Sequence, residues 1–297
     1  MGAEMALNRT RPWAGPPHRG SRAGWLLLAL CLAAANAGAA VLFQGDFESG
    51  TPYPFTTEAW HTDSVVIVKA PARSGTHAAK FTLSYDDPIV NGGKRAEVVK
   101  AHDAMNADFW YGFSLFVPDD WIRESWPEII AQWHDVADPG ERSRSPPLSL
   151  MIEGNTFRLE VRWDPVAIMT TNVVSPKGGV VTFWRGGLET GRWIDWVFHV
   201  RWSWQADGFI DAWMNGAQIV QRAGPDAYND QSGPYFKMGL YKWLWNAGQY
   251  QVAKQRILYF DEFREADGAG TYAEVDPAQS GRGMENEPAP PRGLTEQ

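Results

Sequence analysis

From Val41 onward the chain consists of short segments in which apolar and polar residues alternate, and Gly, Pro, Asn and Asp separate one segment from the next. Clear examples are 109-FWYGFSLFV-117, 157-FRLEVRW-163 and 193-WIDWVFHVRWSW-204. Because successive side chains of a strand point to opposite faces, this alternation is typical of strands that bury one face. Helical periodicity is almost absent, so the sequence predicts an all-β protein, a single-domain sandwich of two antiparallel sheets.

Local signals refine this prediction. The pair Asn215-Gly216, placed between two alternating segments, is a strong signal for a two-residue hairpin turn. The stretch 119–126, which follows Pro118, is the one place where the sequence indicates a helical turn or two. We find no internal repeat and no linker, so one domain is expected over residues 40–276. The Pro-rich and charged tail, residues 277–297, cannot bury a core and is expected to be disordered.

The first 39 residues have the pattern of an export signal. A basic stretch ends at Arg22, an apolar run extends from Trp25 to Ala35, and small residues follow up to Ala39. The apolar run is too short to span a bilayer, so we expect a cleaved signal peptide over residues 1–39, no membrane attachment afterwards, and a secreted or periplasmic protein. The single cysteine, Cys31, lies inside this run. The mature protein would therefore have no disulfide, thiolate metal site or cysteine nucleophile.

The charge of the chain restricts its partners. The formal charge is −8, but the first 39 residues carry one acidic and four basic side chains, so removing their net +3 leaves −11 for the rest. An acidic body argues against nucleic-acid binding. An anionic ligand would have to be held by a local cationic site.

Three strand-like segments place polar residues two apart, on one face of a strand. Taken singly, each has a simpler explanation: a surface ion pair, a packed histidine, or a tyrosine that packs at a strand end. The residues are Arg95 and Glu97 in the first segment, Gln132 and His134 in the second, and Tyr235, Lys237 and Tyr241 in the third.

Arg-x-Glu, Gln-x-His and Tyr-Phe-Lys-x-Gly-x-Tyr, in this order along a Trp-rich β chain, resemble the jelly-roll polysaccharide lyases: the alginate lyases of that fold, the glucuronan lyases and the heparin lyase I group. The resemblance covers most of the chain after residue 40 and implies a concanavalin-like jelly roll. Val98 after Arg-x-Glu and Trp133 between Gln and His differ from the residues usual in alginate lyases. They favour the glucuronan and heparin-lyase-like branch.

The resemblance implies a reaction and roles for the motif residues. A uronate chain is cleaved by removing the proton at C5, alpha to the carboxylate, and expelling the glycosidic oxygen from C4. Arg95 and Gln132 would stabilise the charge that develops on the carboxylate. Tyr241 and His134 would be the acid and the base, and the sequence leaves open which is which.

The remaining motif residues are expected to support this site. Glu97 would orient Arg95, and Lys237 would either favour the phenolate of Tyr241 or hold a substrate carboxylate. Tyr235 shares their face and is a candidate for substrate binding. Gly239, between the lysine and the second tyrosine, would leave room for a sugar ring.

The resemblance implies no cofactor for catalysis, and similar jelly rolls suggest a structural calcium ion at Glu48 and Asp261. The expected partner is an anionic polysaccharide, most simply one like glucuronan, bound by a monomer. Two other classes remain open. A sandwich-fold glycoside hydrolase would need paired carboxylates on one strand face, and the chain has no Glu-x-Asp-x-Glu run. A noncatalytic carbohydrate-binding module would have the same fold without needing the motif residues.

Overall fold

The computed structural model describes residues 41–280, so the expected signal peptide and the tail from residue 281 lie outside the described residues. Within this range the protein is all-β. The strands are β1 Val41–Gly45, β2 Thr56–Ala59, β3 Val65–Val68, β4 Ala78–Ser84, β5 Arg95–His102, β6 Asp108–Phe116, β7 Glu128–His134, β8 Leu148–Glu153, β9 Thr156–Trp163, β10 Gly179–Gly187, β11 Trp193–Arg201, β12 Phe209–Met214, β13 Ala217–Ala223, β14 Tyr235–Tyr241 and β15 Gln255–Asp267. Helical structure is limited to α1, Tyr272–Val275, and two 3-10 helices, Trp243–Ala247 and Pro277–Gln279.

The strands form two sheets, as predicted. One is eight-stranded, in the order β13-β12-β11-β6-β15-β4-β3, with β1 also paired to β15. The other is seven-stranded, in the order β10-β9-β8-β7-β14-β5-β2. All strand pairs within these sheets are antiparallel. No helix within residues 41–280 is long and apolar enough to cross a membrane.

Alternation along the strands produces the core between the sheets. On β9, the side chains of Phe157, Leu159 and Val161 are fully buried. Arg158 and Arg162, which point to the opposite face, are partly exposed. The apolar side chains of both sheets join one large cluster. The seven-stranded sheet is therefore left with a second, polar face that points away from the core, which we call the outer face.

Two local predictions can be compared with the structure. The hairpin between β12 and β13 is confirmed, with positive φ angles of 51° at Asn215 and 81° at Gly216. The helical turn expected at 119–126 is wrong: the segment has only a turn in which the Trp121 N–H donates to the Pro118 carbonyl oxygen. Trp121 is buried against the guanidinium group of Arg256, so tertiary packing decides its conformation.

The chain continues in an ordered form a few residues past Asp276, where the sequence predicted the end of the domain. Asp276 caps the 3-10 helix Pro277–Gln279 by accepting a hydrogen bond from the Ala278 N–H. Pro277 itself is buried. The terminal residues 281–297 lie outside the described range.

Gly239 lies at an irregularity in β14, where the pairing with β7 shifts between Met238 and Tyr241. Its φ is 139°, and a Cβ atom there would lie 2.3 Å from the Ala96 carbonyl oxygen on β5 and 2.9 Å from the Phe81 ring. The expectation that this glycine leaves room for a sugar is therefore wrong. Gly239 is required because two strands approach closely and the backbone adopts a conformation that side chains rarely allow.

We predict that Gly239→Ala lowers the free energy of unfolding by about 2 to 3 kcal/mol, because it adds a steric overlap to the cost of the unusual φ. Gly92→Ala is the matched control: its φ is also positive, at 80°, but a Cβ would meet nothing within 4 Å. The control should lose only about 1 kcal/mol. Urea unfolding of both variants measures the difference, and equal losses would show that the close approach is not what selects glycine.

Candidate active site

The outer face of the seven-stranded sheet carries a groove of about 600 Å³ that crosses the strands. Its floor follows a row of paired residues. Arg95 on β5 pairs with Tyr241 on β14, and Tyr241 pairs with Ile129 on β7. Ile129 pairs with Met151 on β8, and Met151 pairs with Arg158 on β9. All five line the groove, so it has an apolar middle and a cationic residue at each end of the row.

The lining of the groove is strongly cationic. It contains no aspartate or glutamate, although the chain as a whole carries a formal charge of −8. Its arginines are Arg95, Arg142, Arg144, Arg158 and Arg162. This is the local cationic site that an acidic protein needs in order to hold an anionic ligand.

Tyr241 has Arg95 as its cationic neighbour. The Arg95 guanidinium carbon lies 4.3 Å from the centre of the Tyr241 ring. Burial raises the pKa of the Tyr241 hydroxyl above its usual value, and the positive charge of Arg95 opposes this only in part. The hydroxyl is therefore protonated at neutral pH and can donate a proton.

Lys237 does not take the place that the sequence suggested. Its side chain is buried, ion-paired with Glu58, and 5.1 Å from the centre of the Tyr235 ring. The expectation that it favours the phenolate of Tyr241 is not supported, because Arg95 is the cation at that ring. The Lys237 side chain is 3% exposed and does not line the groove.

His134 is held through its Nδ1 atom. This atom lies 2.9 Å from Oδ1 of Asp135 and 3.2 Å from the Asp135 carbonyl oxygen, with the hydrogen bond directed at the carbonyl. Both neighbours are acceptors, so they favour the tautomer of the neutral ring that has its proton on Nδ1 and an acceptor at Nε2. Asp135 is itself fixed, because its Oδ2 accepts a hydrogen bond of 3.0 Å from the backbone N–H of Arg144.

The predicted acid and base lie in one groove but at opposite ends of β7. Tyr241 pairs with Ile129, whereas His134 pairs with Tyr235, and the His134 and Tyr235 rings are 5.3 Å apart. Five residues along a strand separate Ile129 from His134, roughly 16 Å between their backbones. His134 and Tyr241 both line the groove. A sugar that meets both side chains must therefore lie between them.

Glu97 connects the two residues expected to bind the substrate carboxylate. It accepts a hydrogen bond of 2.5 Å from Nε2 of Gln132 and one of 3.2 Å from Nη1 of Arg95. Burial raises the pKa of Glu97, and the charges of Lys237 and Arg95 oppose the rise. The contact with Arg95 agrees with the orienting role expected for Glu97.

Arg95 and Gln132, the residues expected to stabilise the substrate carboxylate, are largely shielded from solvent. Arg95 is 7% exposed and Gln132 is fully buried. The physical reason is Glu97, which draws both donors down to its own buried carboxylate. Arg95 still lines the groove, but Gln132 does not, so in this arrangement Gln132 supports the floor rather than forming its surface.

Several site residues were missed by the sequence analysis. Glu58 on the edge strand β2 pairs with Lys237 and lies 3.6 Å from Arg95. Asp135 and Arg144 hold the His134 end of the groove. The paired basic residues in 142-RSR-144 were the one available signal, since they lie in a loop that returns to the same sheet.

The contacts of Glu48 and Asp261 do not fit a calcium ion. Oε1 of Glu48 accepts hydrogen bonds from the N–H groups of Thr76 and His77, and the two Asp261 oxygens accept from the N–H groups of Arg73 and Glu262. Calcium needs six to eight oxygen ligands, and residues 41–280 contain no group of three or more acidic, histidine or cysteine side chains placed to hold a metal ion. These two carboxylates instead anchor the loop between β3 and β4. The calcium site stays a prediction without structural support.

Comparison with known proteins identifies the class. The family model described as polysaccharide lyase matches residues 47–264, so this chain belongs to the polysaccharide lyase family. It is accordingly an enzyme of the jelly-roll type, acting on a polysaccharide. No curated protein matches the sequence.

Solved structures share the fold. The endo-β-1,4-glucuronan lyase from the fungus Trichoderma reesei is 22% identical, with a TM-score of 0.69, and the match covers 81% of this chain and 100% of that one. An alginate lyase from Chlorella virus is 12% identical, with a TM-score of 0.53, and covers 77% of this chain and 100% of the other.

We predict that Asp135→Asn changes the tautomer of His134. The oxygen of the new asparagine side chain can still accept the hydrogen bond from the Arg144 backbone N–H. Its NH2 group then replaces Oδ1 and presents a donor to Nδ1 of His134, which favours the tautomer with the proton on Nε2. Nitrogen NMR of imidazole-labelled protein reads the tautomer directly, and turnover should fall while the melting temperature changes little. Asp138→Asn, in the same loop, is the control and should change neither. An unaltered His134 spectrum in Asp135→Asn would show that the backbone carbonyl alone sets the tautomer.

Proposed function

We propose that this polysaccharide lyase cleaves a glucuronan-like polyuronate by β-elimination and leaves a 4,5-unsaturated uronate end. The observation that carries the proposal is the groove itself. Five arginines and no carboxylate line it, together with a tyrosine and a histidine, the residue types that can donate a proton to a substrate or accept one from it. The similarity in fold to a glucuronan lyase supports the choice of sugar.

The reaction requires one proton to leave and another to arrive. A base takes the C5 proton, and the electron pair of the C5–H bond forms the C4=C5 double bond. The C4–O bond breaks, and its electron pair stays on the glycosidic oxygen, which takes a proton from an acid. The C5 proton can be removed only when the charge that builds up on the carboxylate is stabilised, and this is the role of Arg95.

The structure supports an assignment of the two roles that the sequence left open. His134 has a free acceptor at Nε2, because Nδ1 faces two oxygens, and it therefore suits the base. Tyr241 keeps its proton at neutral pH, because burial raises its pKa, and it therefore suits the acid. After one turnover His134 would be protonated and Tyr241 ionised. Exchange with solvent restores both.

The two other classes are less well supported. A glycoside hydrolase acts through two carboxyl groups that flank the bond, and the groove lining has none. Glu97, the nearest motif carboxylate, is 1% exposed and accepts hydrogen bonds from Arg95 and Gln132. A noncatalytic module would not require an oriented histidine at the end of the groove.

We further propose that the enzyme acts outside the cytoplasm as a monomer. The proposal of export rests on the order of basic, apolar and small residues before Val41. A polymer too large to enter a cell must be cleaved where it occurs, which is consistent with export.

The proposed reaction predicts a rise in ene-carboxylate absorbance when the protein acts on β-1,4-glucuronan. Cellulose is the matched control, since it has the same linkage without the carboxylate, and should give no product. Alginate and glycosaminoglycans complete the panel, and glucuronan should be cleaved fastest. New reducing ends without the absorbance would indicate a hydrolase, and binding without either signal would indicate a noncatalytic module.

The two tyrosines of β14 allow a matched test of the acid. Tyr241→Phe should lower turnover by about a hundredfold or more, the usual contribution of a positioned acid, while oligosaccharide binding is retained. Tyr235→Phe keeps the ring beside His134 and removes only the hydroxyl, so it should retain most of the activity. Steady-state kinetics on one polymer compares them. If Tyr235→Phe lost more turnover than Tyr241→Phe, the acid would be Tyr235 instead of Tyr241.

A further inference from the structure

The end of the groove on β9 is cationic and lies away from the proposed acid and base. Arg158 and Arg162 point to the outer face of β9, which is two strands beyond β7 in the sheet. Two sheet spacings amount to roughly 9.5 Å. The distance from the His134 strand to these arginines is therefore about the length of a disaccharide.

On β9 and β10 the guanidinium groups outnumber the carboxylates that pair with them. Glu160 pairs with both Arg158 and Arg162, and Glu153 pairs with Arg158 and with Arg185 on β10. Two carboxylates are thus shared in ion pairs with three guanidinium groups. Arg142 adds a further charge: it is exposed, lines the groove, and has no acidic partner within 4 Å among residues 41–280.

Buried guanidinium donors in the groove lining also lack partners. The side chain of Arg144 is 0% exposed and stacks 3.6 Å from the Tyr228 ring. Only its Nη2 is paired, with Glu141 and Asp230, so Nε and Nη1 have no hydrogen-bond partner in the described structure. Nε of both Arg158 and Arg162 is likewise buried without a partner. These buried atoms are not open to a ligand, but the positive charge of their guanidinium groups acts at the groove surface.

From these contacts we propose a second anion site, formed by Arg142, Arg158 and Arg162 with Arg144 behind them, which binds the carboxylate of a uronate residue about two sugars from the bond that is cleaved. A guanidinium fork matches a carboxylate in two parallel hydrogen bonds, so arginine suits this ligand. The site rests on the proposed function, since it takes the same polymer. It is distinct from Arg95, which lies on β5, four strand spacings from β9.

The site predicts that binding depends on the length of the ligand. Arg142→Gln and Arg162→Gln should each weaken the binding of a glucuronan hexasaccharide about tenfold, the size of one lost charged contact, and leave a disaccharide unaffected. The measurement is calorimetric titration of Tyr241→Phe protein with each oligosaccharide, so that turnover cannot intervene. Arg192→Gln is the matched control, because Arg192 is exposed and lies outside the groove. This substitution should change the binding of neither the hexasaccharide nor the disaccharide.

Binding and turnover separate this site from the proposed reaction. Length-dependent weakening in Arg162→Gln supports the anion site even if the wild-type protein forms no unsaturated product, a result that would remove only the lyase assignment. Equal weakening for short and long oligosaccharides, or none, overturns the site even if β-elimination is observed. Weakening seen only with a sulfated oligosaccharide would also overturn it, because the ligand would then be a sulfate ester.

Discussion

The buried carboxylate of Glu97 is the interaction on which the groove depends. A carboxylate that is 1% exposed is expensive to bury unless charged and polar partners surround it. Its partners, Arg95 on β5 and Gln132 on β7, lie on either side of β14, so one anion fixes outward-facing groups across three neighbouring strands. Well-packed apolar residues at such a position often stabilise a protein at least as much as a buried ion pair does. The charges are therefore better explained by the position they impose on Arg95, which in turn covers Tyr241.

Much of the fold could be predicted because its signals are local and periodic. Alternation with a period of two identified the strands and their buried faces, and Asn215-Gly216 identified a turn whose positive φ angles suit those residues. The resemblance to the polysaccharide lyases, rather than the periodicity, brought Arg95, His134 and Tyr241 together in one site. The periodicity did not show the irregularity at Gly239, because that depends on how closely β14 approaches β5.

The parts of the site that escaped prediction depend on contacts between distant segments. Whether Lys237 or Arg95 meets Tyr241 is decided by Glu58, which arrives from an edge strand far away in sequence. Arg142 and Arg144 belong to no strand. Arg144 is held at the groove by packing against the Tyr228 ring and by ion pairs with Glu141 and Asp230. The net charge can be counted from the residues, but the opposite sign of the groove lining cannot, because it depends on which side chains the fold brings together.

The direction of the groove has a consequence for how such an enzyme diversifies. Because the groove runs across the strands, each strand contributes its own outward side chain to a different stretch of the bound polymer. The neighbouring inward residues, such as Trp133 and Leu159, belong to the core and are separate from these positions. Single substitutions along the row can therefore retune recognition of one sugar at a time while the packing between the sheets is left intact.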